Sequence, residues 1–392
     1  MRILLVGGAV RNLLLGLPPT DKDFLVLDTD RETFLRRFPM AREVGKNFPV
    51  FLINGQEYAF PRPPSSATAP PITEEEKLQA DLEERDLTIN AMALDESGEL
   101  FCHPLALEDL HARLLRPSHK HTLETDPARA LRAARFLAQY PIFRPHSILE
   151  QAMGGIASSN RLHGIAPERV GHELLKALSA PAPERYFRFL AKCRCLNPWL
   201  TELEALQAVP AGPKQFHGER DAFGHTLHLL QTMPAQFPDH TPEQRCVLGW
   251  MLLCHDLGKA HTPPNEWPRH IGHEQKGGAP AQRMGTRLAL ANRYLEAGSV
   301  AAQWHMQAAR YPTLRPGTRV DLLMRLYSKR LLRPLFELVC LDQGEDYRQR
   351  AERDLQRILA VRLPKTLQNM GRESGQRLRE LRANALTNAR PD

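Results

Sequence analysis

Hydrophobic and polar positions follow a strand-like pattern over the first sixty residues and a helical period after that. Short apolar runs at Ile3–Val6, Asp23–Leu27 and Phe48–Ile53 predict three strands, and Val10–Leu15 predicts a helix between the first two. From Asp126 onward, apolar residues recur every three or four positions, so the remaining two thirds of the chain are predicted to be almost entirely helical. The pattern therefore predicts an α+β chain, in which a small mixed α/β head precedes all-α regions.

Breaks in this pattern suggest domain boundaries, because a chain of 392 residues exceeds what one hydrophobic core usually serves. Residues 61–73 are rich in proline and predict an exposed loop, and the segment Pro210–Pro213 predicts a boundary before a histidine-rich stretch. The predicted segments are a head (1–123), a helical neck (124–212), a histidine-rich helical domain (213–350) and a basic helical tail (351–392).

Composition narrows the class of protein only modestly. Lys and Arg outnumber Asp and Glu by 52 to 45, which suits a polyanionic partner. The six cysteines form no Cys-x-x-Cys pair, so we expect reduced thiols and no disulfide framework. The few apolar residues before Gly7 are too short for a secretory or membrane segment, so we expect a cytoplasmic protein without membrane association.

Two features near the N-terminus predict a site for phosphoryl transfer. Gly7 and Gly8 follow a strand and precede a helix, where backbone N–H groups can cradle a phosphate. Asp21 and Asp23 enter the next strand two residues apart, so both carboxylates face the same way. Two such carboxylates favour a divalent cation, and oxygen-only ligands favour Mg²⁺ or Mn²⁺, of which we expect Mg²⁺. Asp21 and Asp23 are therefore the predicted catalytic and magnesium-binding residues.

Three arginines mark the first long helix of the neck. Arg129, Arg132 and Arg135 advance by three residues and so sweep an arc of about 120° on one helical face. An anionic ligand would explain three cations on one side, and an arginine-rich solvated helix is the alternative.

Together these motifs resemble a known family. The string from Leu5 to Gly16, followed by Asp21-Lys22-Asp23, is similar to the head domain of the tRNA nucleotidyltransferase and poly(A) polymerase family, and the blocks Glu84–Ala91 and Asp126–Phe136 follow in the family's order. The resemblance implies a polymerase β-like nucleotidyltransferase head that binds ATP and CTP. It also implies that nucleotide contacts come from Gly8, Arg11, Arg85, Asp86, Asp126, Arg129, Arg132 and Arg135, with Asp126 and Arg129 reading the base.

Histidines are crowded in the second half of the chain. Nine of the sixteen lie between His217 and His305, where an even spread would place about four, and such crowding favours metal chemistry. His255 and Asp256 end an apolar helical run, and Gly258 is interpreted as the glycine that stops this helix.

The order of these residues resembles the HD phosphohydrolase superfamily. The resemblance implies that His225, His255, Asp256 and Asp346 hold a metal, with Asp342 as the alternative to Asp346 and with His255 and Asp256 as catalytic residues. Mixed imidazole and carboxylate ligands favour a transition ion, for which we expect Ni²⁺, with manganese or cobalt as alternatives. Three further histidines either extend the metal site, bind phosphate or face solvent: His270, His273 and His305.

A family head, a helical neck and an HD domain together resemble the bacterial CCA-adding subtype of the family. The resemblance implies addition and repair of the 3′-terminal CCA of tRNA from CTP and ATP, with release of diphosphate. It also implies phosphatase, 2′-nucleotidase and 2′,3′-cyclic phosphodiesterase activities of the HD domain. The expected partners are tRNA, ATP and CTP, and the chain is expected to be a monomer or a homodimer.

Three alternatives stay open at this point. One is a poly(A) polymerase-like enzyme, which shares every head motif. A second is an HD phosphohydrolase with an impaired head, since Asn12, Glu84, His103 and Thr125 depart from the family's pattern. The third is a non-catalytic RNA-binding protein. Incorporation of C as well as A into a tRNA lacking CCA would distinguish the lead hypothesis from all three.

Overall fold

The computed structural model describes residues 1–19, 22–44, 49–61, 73–213 and 221–387. It divides into two compact units, the first formed by Met1–Ile165 with Lys192–Cys195, and the second by Ala166–Ala191 with Leu196–Asp392. The predicted boundaries at residues 123, 212 and 350 stay predictions. Asp21, one half of the predicted carboxylate pair, lies outside the described residues.

The first unit combines strands and helices. Its strands are β1 (Arg2–Val6), β2 (Asp23–Leu27), β3 (Arg42–Val44), β4 (Val50–Ile53), β5 (Gln56–Ala59), β6 (Met92–Leu94), β7 (Leu100–Cys102), β8 (Leu114–Leu115) and β9 (Arg144–Pro145). Its helices are α1 (Gly8–Leu14), α2 (Arg31–Arg37), α3 (Glu74–Glu83), α4 (Ala106–Ala112), α5 (Thr122–Thr125), α6 (Ala128–Gln139) and α7 (Ser147–Ser158).

Within the described ranges, seven strands form one mixed sheet in the order β3-β4-β5-β2-β1-β6-β7. β2 pairs antiparallel with β1 and parallel with β5, so the strand that begins at Asp23 is central. Successive β2 side chains point to opposite faces: Leu25 and Leu27 pack with Leu82 of α3, whereas Val26 packs with Phe34 of α2. Both faces of β2 are therefore covered, which explains its continuous apolar run.

The rest of the chain is helical over the residues described. Its helices are α8 (Pro167–Leu178), α9 (Glu184–Lys192), α10 (Thr201–Leu206), α11 (Ala222–Gln236), α12 (Pro242–Cys254), α13 (His273–Arg287), α14 (Asn292–Ala309), α15 (Pro316–Lys329), α16 (Leu332–Gln343), α17 (Arg348–Ala360) and α18 (Arg372–Thr387). The prediction of a mixed α/β head followed by helical regions is confirmed. None of the helices in the described ranges has the length and apolar character of a membrane span.

Individual elements depart from the predicted bounds in small ways. The first helix begins at Gly8 rather than Val10, because the Arg11 N–H already donates to the carbonyl oxygen of Gly7 at 3.2 Å. The strand predicted from Phe48 begins at Val50, and Phe48 itself lies outside the described residues. The two-residue strands β8 and β9 pair in parallel outside the main sheet, and they are too short to show an alternating pattern in the sequence.

The tail packs onto the helices before it. Arg379 of α18 donates two hydrogen bonds of 2.7 Å to the carboxylate of Asp321 in α15, and Arg382 donates to the carbonyl oxygen of Ile358 in α17 at 3.0 Å. These contacts explain why a strongly charged amphipathic helix holds a fixed position there.

Candidate active site and metal centre

The glycine turn between β1 and α1 lies directly against two arginines. Gly7 has φ of 72°, and a Cβ built there would come within 2.9 Å of Arg85 Nη1. A Cβ built on Gly8 would lie 3.3 Å from Arg11 Nη2. Gly7 thus needs glycine for its backbone conformation, and a Cβ at Gly7 or Gly8 would crowd a guanidinium group. The two cations favour an anion at the turn.

Arg11 is held almost entirely by protein groups. Only 3% of it is exposed, and burial lowers its pKa. Its Nη1 donates to Asn90 Oδ1, its Nε and Nη2 donate to Asn12 Oδ1 at 3.2 and 2.9 Å, and its Nη2 donates to the Tyr140 hydroxyl at 2.5 Å. Arg11 is therefore a rigid support behind the turn, and its direct contact with a triphosphate stays a prediction.

Asp86 links the second sequence block to the neck helix. Its Oδ1 accepts hydrogen bonds of 2.9 Å from the Leu87 backbone N–H and from Asn90 Nδ2, and its Oδ2 lies 2.7 Å from Arg132 Nε. Burial would raise the pKa of Asp86, but the charge of Arg132 and the hydrogen bond from Asn90 bring it below its usual value. Asp86 is thus ionised at neutral pH and holds the half-exposed Arg132 in place.

Arg85 lies two residues beyond the end of α3, and Arg129 of α6 contacts the residue before it, Glu84. Arg85 forms an ion pair with Asp81 at 2.9 Å, one turn earlier in the chain. Arg129 donates to the backbone carbonyl oxygens of Glu84 at 2.8 Å and Thr122 at 3.4 Å. These carbonyl oxygens orient the Arg129 guanidinium, and its charge also helps to lower the pKa of the Asp86 carboxyl.

The three neck arginines do not form one open cationic face, which corrects that expectation. Arg132 is exposed, whereas Arg135 is buried, with Nη1 2.5 Å from Gln139 Oε1 and its guanidinium carbon 4.7 Å from the centre of the Phe136 ring. Arg132 and Arg135 differ in exposure because an arc of about 120° on the helix surface extends from the side that faces solvent to the side that packs against the protein. Asp126, at the start of this helix, accepts a hydrogen bond of 3.2 Å from the Ala128 N–H.

Asp23 begins the central strand of the sheet and is exposed. It lies opposite Val6 of β1, and in β5 the residue in register with it is Glu57, also exposed. Residues in register lie on the same face of a sheet, so the carboxylates of Asp23 and Glu57 lie on the same face, on neighbouring strands. The predicted pairing of Asp23 with Asp21 stays a prediction.

Five helices bring together a second group of polar residues, which we call the histidine cluster. It lies among α11, α12, α13, α14 and α16 and consists of His225, His255, Asp256, His273, His305 and Asp342. The four histidines and Asp256 are at most 6% exposed. So many buried polar groups in one place are unfavourable unless they are paired or bind an ion.

Asp342 and Asp346, the two candidates for the fourth residue of the predicted HD metal site, have different surroundings. His225 Nε2 lies 2.9 Å from Asp342 Oδ1, near the end of α16. Asp346 is instead exposed and forms an ion pair of 2.7 Å with Arg348. The structure therefore favours Asp342 over Asp346, and which of the two binds a metal stays a prediction. Burial would raise the pKa of Asp342, but the hydrogen bond with His225 lowers it well below its usual value.

Asp256 is the centre of the histidine cluster. Its Oδ2 lies 3.2 Å from His255 Nε2 and 2.6 Å from Lys259 Nζ, and its Oδ1 lies 3.3 Å from His273 Nε2. Lys259 is itself buried and donates to the carbonyl oxygen of Ala211 at 2.6 Å. Burial would raise the pKa of Asp256, but the charges of His255 and Lys259 lower it well below its usual value.

In the histidine cluster, the Nε2 atoms of His273 and His305 face each other. His273 Nδ1 donates to the carbonyl oxygen of His270 and His305 Nδ1 donates to that of Ala301, both at 2.9 Å. Their Nε2 atoms lie 3.2 Å apart. Burial lowers the pKa of His305 to about 4, so it is neutral at pH 7 and presents an Nε2 lone pair. The Nε2 atoms of the two rings lie close enough together to share a cation.

The donor atoms fit a metal ion. The ligand atoms of His225, His255 and Asp256 lie within 4.8 Å of one another, and so do those of Asp256, His273 and His305. His255 Nδ1 donates to the Leu252 carbonyl at 2.7 Å, and its buried Nε2 faces Asp256 Oδ2 at 3.2 Å. A histidine ligand is usually oriented in this way, by a hydrogen bond from its other ring nitrogen to a backbone carbonyl.

Comparison with known proteins identifies the family. Residues 3–116 match the family model of the Poly A polymerase head domain, and residues 143–206 match that of the probable RNA and SrmB-binding site of polymerase A. The Multifunctional CCA protein of Xanthomonas oryzae pv. oryzae is 39% identical over 339 residues, which is 83% of this chain and 80% of that protein. The chain belongs to the multifunctional CCA protein family. The corresponding protein of Haemophilus influenzae is 37% identical over 339 residues, again 83% of this chain and 80% of that protein.

Solved structures share the fold of this member of the multifunctional CCA protein family. A CCA-adding enzyme in its apo form I superposes with a TM-score of 0.61 at 18% identity, covering 100% of this chain and 87% of the other. A tRNA nucleotidyltransferase complexed with a primer tRNA and an incoming ATP analog gives 0.58 at 19% identity, covering 93% and 97%. The family resemblance predicted from three sequence blocks is thus confirmed.

In this family member, two residues that follow Asp256 differ from the sequence prediction. Lys259 was not predicted to take part in the site, and the interpretation of Gly258 as a helix stop was wrong. Lys259 follows Asp256 by three residues, the spacing at which two side chains meet on a helical turn, and this signal was available. Gly258 does not stop a helix: a Cβ there would lie 1.9 Å from the carbonyl oxygen of His273, so glycine permits close packing on α13. His270 is structural, since its two ring nitrogens bond Thr262 and the carbonyl oxygen of Pro210.

The glycine turn allows a matched test. Replacing Gly7 by alanine should lower the free energy of unfolding by about 1–3 kcal/mol for the unfavourable backbone conformation, and should also displace Arg85 and raise KM for nucleotides. Gly16 is the control, because its φ is 70° and nothing lies within 4 Å of its Cβ position. Urea denaturation and nucleotide kinetics of both variants would check this, and an unchanged KM in Gly7→Ala would contradict it.

Proposed function

We propose that the protein adds and repairs the CCA 3′ end of tRNA with CTP and ATP, and that the histidine cluster hydrolyses phosphoesters. The observation that carries the first activity is the Gly7–Gly8 turn, supported by Arg11 and Arg85, beside the strand that begins at Asp23. Relatives at 37–39% identity are named Multifunctional CCA protein, which supports the same activity.

Nucleotidyl transfer requires little covalent chemistry from the protein. The 3′-hydroxyl of the tRNA attacks the α-phosphate of the nucleotide, a new P–O bond forms, and diphosphate leaves. Asp21 and Asp23 would hold Mg²⁺, which supplies neutralisation of the triphosphate charge when bound. Arg85 and Arg132 contribute positive charge to the proposed nucleotide site. Asp81 holds Arg85 in place, and Asp86 holds Arg132.

Selection of the base is assigned to the start of α6. Arg129 is oriented by the carbonyl oxygens of Glu84 and Thr122, and Asp126 lies three residues before it. A carboxylate acceptor and a planar donor fork can match the Watson–Crick edge of cytosine and, after a small rotation, of adenine. This pair supports the proposal that one site accepts both CTP and ATP without a nucleic-acid template.

The direct test is incubation with Mg²⁺, a tRNA that ends at the discriminator base, and labelled CTP, ATP or both. The expected result is two C additions followed by one A. A run of A without C would instead identify a poly(A) polymerase. Absence of any incorporation, with hydrolysis retained, would identify an HD phosphohydrolase with an impaired head.

The second activity rests on the histidine cluster. His225, His255, Asp256 and Asp342 would hold a transition ion, which we propose to be Ni²⁺ and which supplies Lewis-acid activation of water when bound. His273 and His305, which share Asp256, extend the donor set. Lys259 balances the charge of Asp256 and fixes its orientation. The proposed substrates are 2′,3′-cyclic phosphodiesters, 2′-nucleotides and phosphomonoesters.

Metal removal tests this second activity. Dialysis against a chelator should abolish hydrolysis of a 2′,3′-cyclic nucleotide, and added Ni²⁺ should restore it. Hydrolysis that persists in the metal-free protein would contradict a metal-dependent site.

A further inference from the structure

Tyr140 connects the end of the neck helix to the first helix of the head. It follows the last residue of α6 and is 7% exposed. Its hydroxyl accepts a hydrogen bond of 2.5 Å from Arg11 Nη2 and donates one of 3.0 Å to Asn12 Oδ1. The Arg11 guanidinium carbon also lies 4.5 Å from the centre of the Tyr140 ring. One side chain thus holds two neighbouring residues of α1.

The other end of the same helix carries the proposed base-reading pair. Arg129 lies 11 residues before Tyr140, or about 17 Å along a helix that rises 1.5 Å per residue, and Asp126 lies two residues before this helix begins at Ala128. A small tilt of α6 about its C-terminal end would therefore move the base-reading groups by ångströms relative to the glycine turn. Tyr140 joins the C-terminal end of α6 to the support behind that turn, Arg11, through a hydroxyl that has both a donor and an acceptor partner. Phe136 of α6 also packs its ring against Arg11, with 5.1 Å between the ring centre and the guanidinium carbon.

The connection continues toward the predicted catalytic aspartates. Asn12 Oδ1 accepts from Tyr140 and Arg11, and its Nδ2 donates to the carbonyl oxygen of Pro18 at 3.3 Å. Pro18 belongs to the segment that leads into Asp21. An aspartate at position 12 would accept the same bonds and could not donate to Pro18, so the asparagine suits a position that joins three elements.

We propose that Tyr140 is a positioning residue for nucleotidyl transfer, which couples the base-reading helix α6 to Arg11 and, through Asn12, to the segment before Asp21. It touches neither substrate nor the reacting atoms. Its effect is to keep the site of the triphosphate and the site of the base at a fixed separation. This inference rests on the proposed CCA-adding function and assigns a residue to it that no sequence block contains.

The test replaces Tyr140 by phenylalanine, which keeps the ring over Arg11 and removes only the hydroxyl. Arg11 then keeps its bonds to Asn12 and Asn90 and loses one buried charged hydrogen bond. We expect KM for CTP and for ATP to rise together by about tenfold, with a smaller change in kcat. Labelled CTP and ATP additions to tRNA substrates prepared for each step would measure both constants.

Tyr311→Phe is the matched control. Tyr311 is also buried, and its hydroxyl donates a hydrogen bond of 2.9 Å to Asp354 in the second unit, far along the chain from the head motifs. Both variants should show a similar fall in melting temperature, and Tyr311→Phe should keep the KM values of the unaltered protein. A raised KM in Tyr140→Phe alone supports the inference.

Equal melting shifts with unchanged KM values in both variants would overturn the inference and leave Tyr140 as a packing residue. That outcome would not affect the proposed function, which fails separately if the unaltered protein adds no nucleotide to tRNA. A fall in kcat with KM unchanged would also overturn the inference, because a misplaced triphosphate site weakens nucleotide binding first.

Discussion

Replacing Asp23 by alanine should lower the rate of CMP and AMP addition to tRNA by on the order of 10³-fold, while hydrolysis at the histidine cluster continues. Asp23 begins the central strand β2 and is fixed by pairing with β1 on one side and β5 on the other. The strand is rigid there, because Leu25 and Leu27 are buried on the same face. Loss of the carboxylate should therefore remove charge from the site without disturbing the fold, and labelled nucleotide incorporation measures the effect.

Asp28→Asn is the control for this variant. Asp28 lies just beyond the other end of the same strand and has φ of 54°. Its Oδ2 atom lies 3.5 Å from Arg2 Nε. Asparagine tolerates that backbone conformation, so the control removes an acidic charge close to β2 and should keep full addition activity. If Asp23→Ala still extended tRNA at the normal rate, or if Asp28→Asn lost as much activity, the assignment of the transfer site to Asp23 would be wrong.

The elements that the sequence predicted well are those with one dominant physical cause. The run Asp23–Leu27 was predicted with its observed bounds, because a strand buried on both faces is continuously apolar. The Gly7–Gly8 turn was predicted from its place between a strand and a helix. His255 and Asp256 were placed at the buried end of an apolar helix, and the structure confirms that position after Cys254.

What the sequence did not predict depends on contacts between elements distant along the chain. The 120° arc of the neck arginines indicated one face, but only the packing of Phe136 and Gln139 shows that Arg135 is buried. The role of Gly258 depends on the approach of α13, whose position is set by tertiary packing. Likewise, nothing in the local pattern indicates that Tyr140 meets Arg11, which is 129 residues away in the chain.

Asp342 and Asp346, near the end of α16, illustrate the same limit and lead to the second large prediction. Asp342→Asn should lower hydrolysis of a 2′,3′-cyclic nucleotide by about 100-fold or more, whereas Asp346→Asn should leave it unchanged. Both residues follow the histidines in the required order, so sequence order alone does not separate them. In the structure Asp342 is in α16 and meets His225 at 2.9 Å, whereas Asp346 lies beyond the end of the helix, beside Arg348.

The pair is closely matched, because each variant exchanges one carboxylate for an amide only four residues apart. Calorimetric titration of the metal-free protein with Ni²⁺ gives a readout independent of activity: Asp342→Asn should bind the ion more weakly, and Asp346→Asn should bind it like the unaltered protein. CCA addition should be normal in both, since neither residue belongs to the first unit. Equal loss of Ni²⁺ affinity in the two variants would contradict the assignment of the site to Asp342 alone. Loss of affinity in Asp346→Asn alone would identify Asp346 as the fourth ligand.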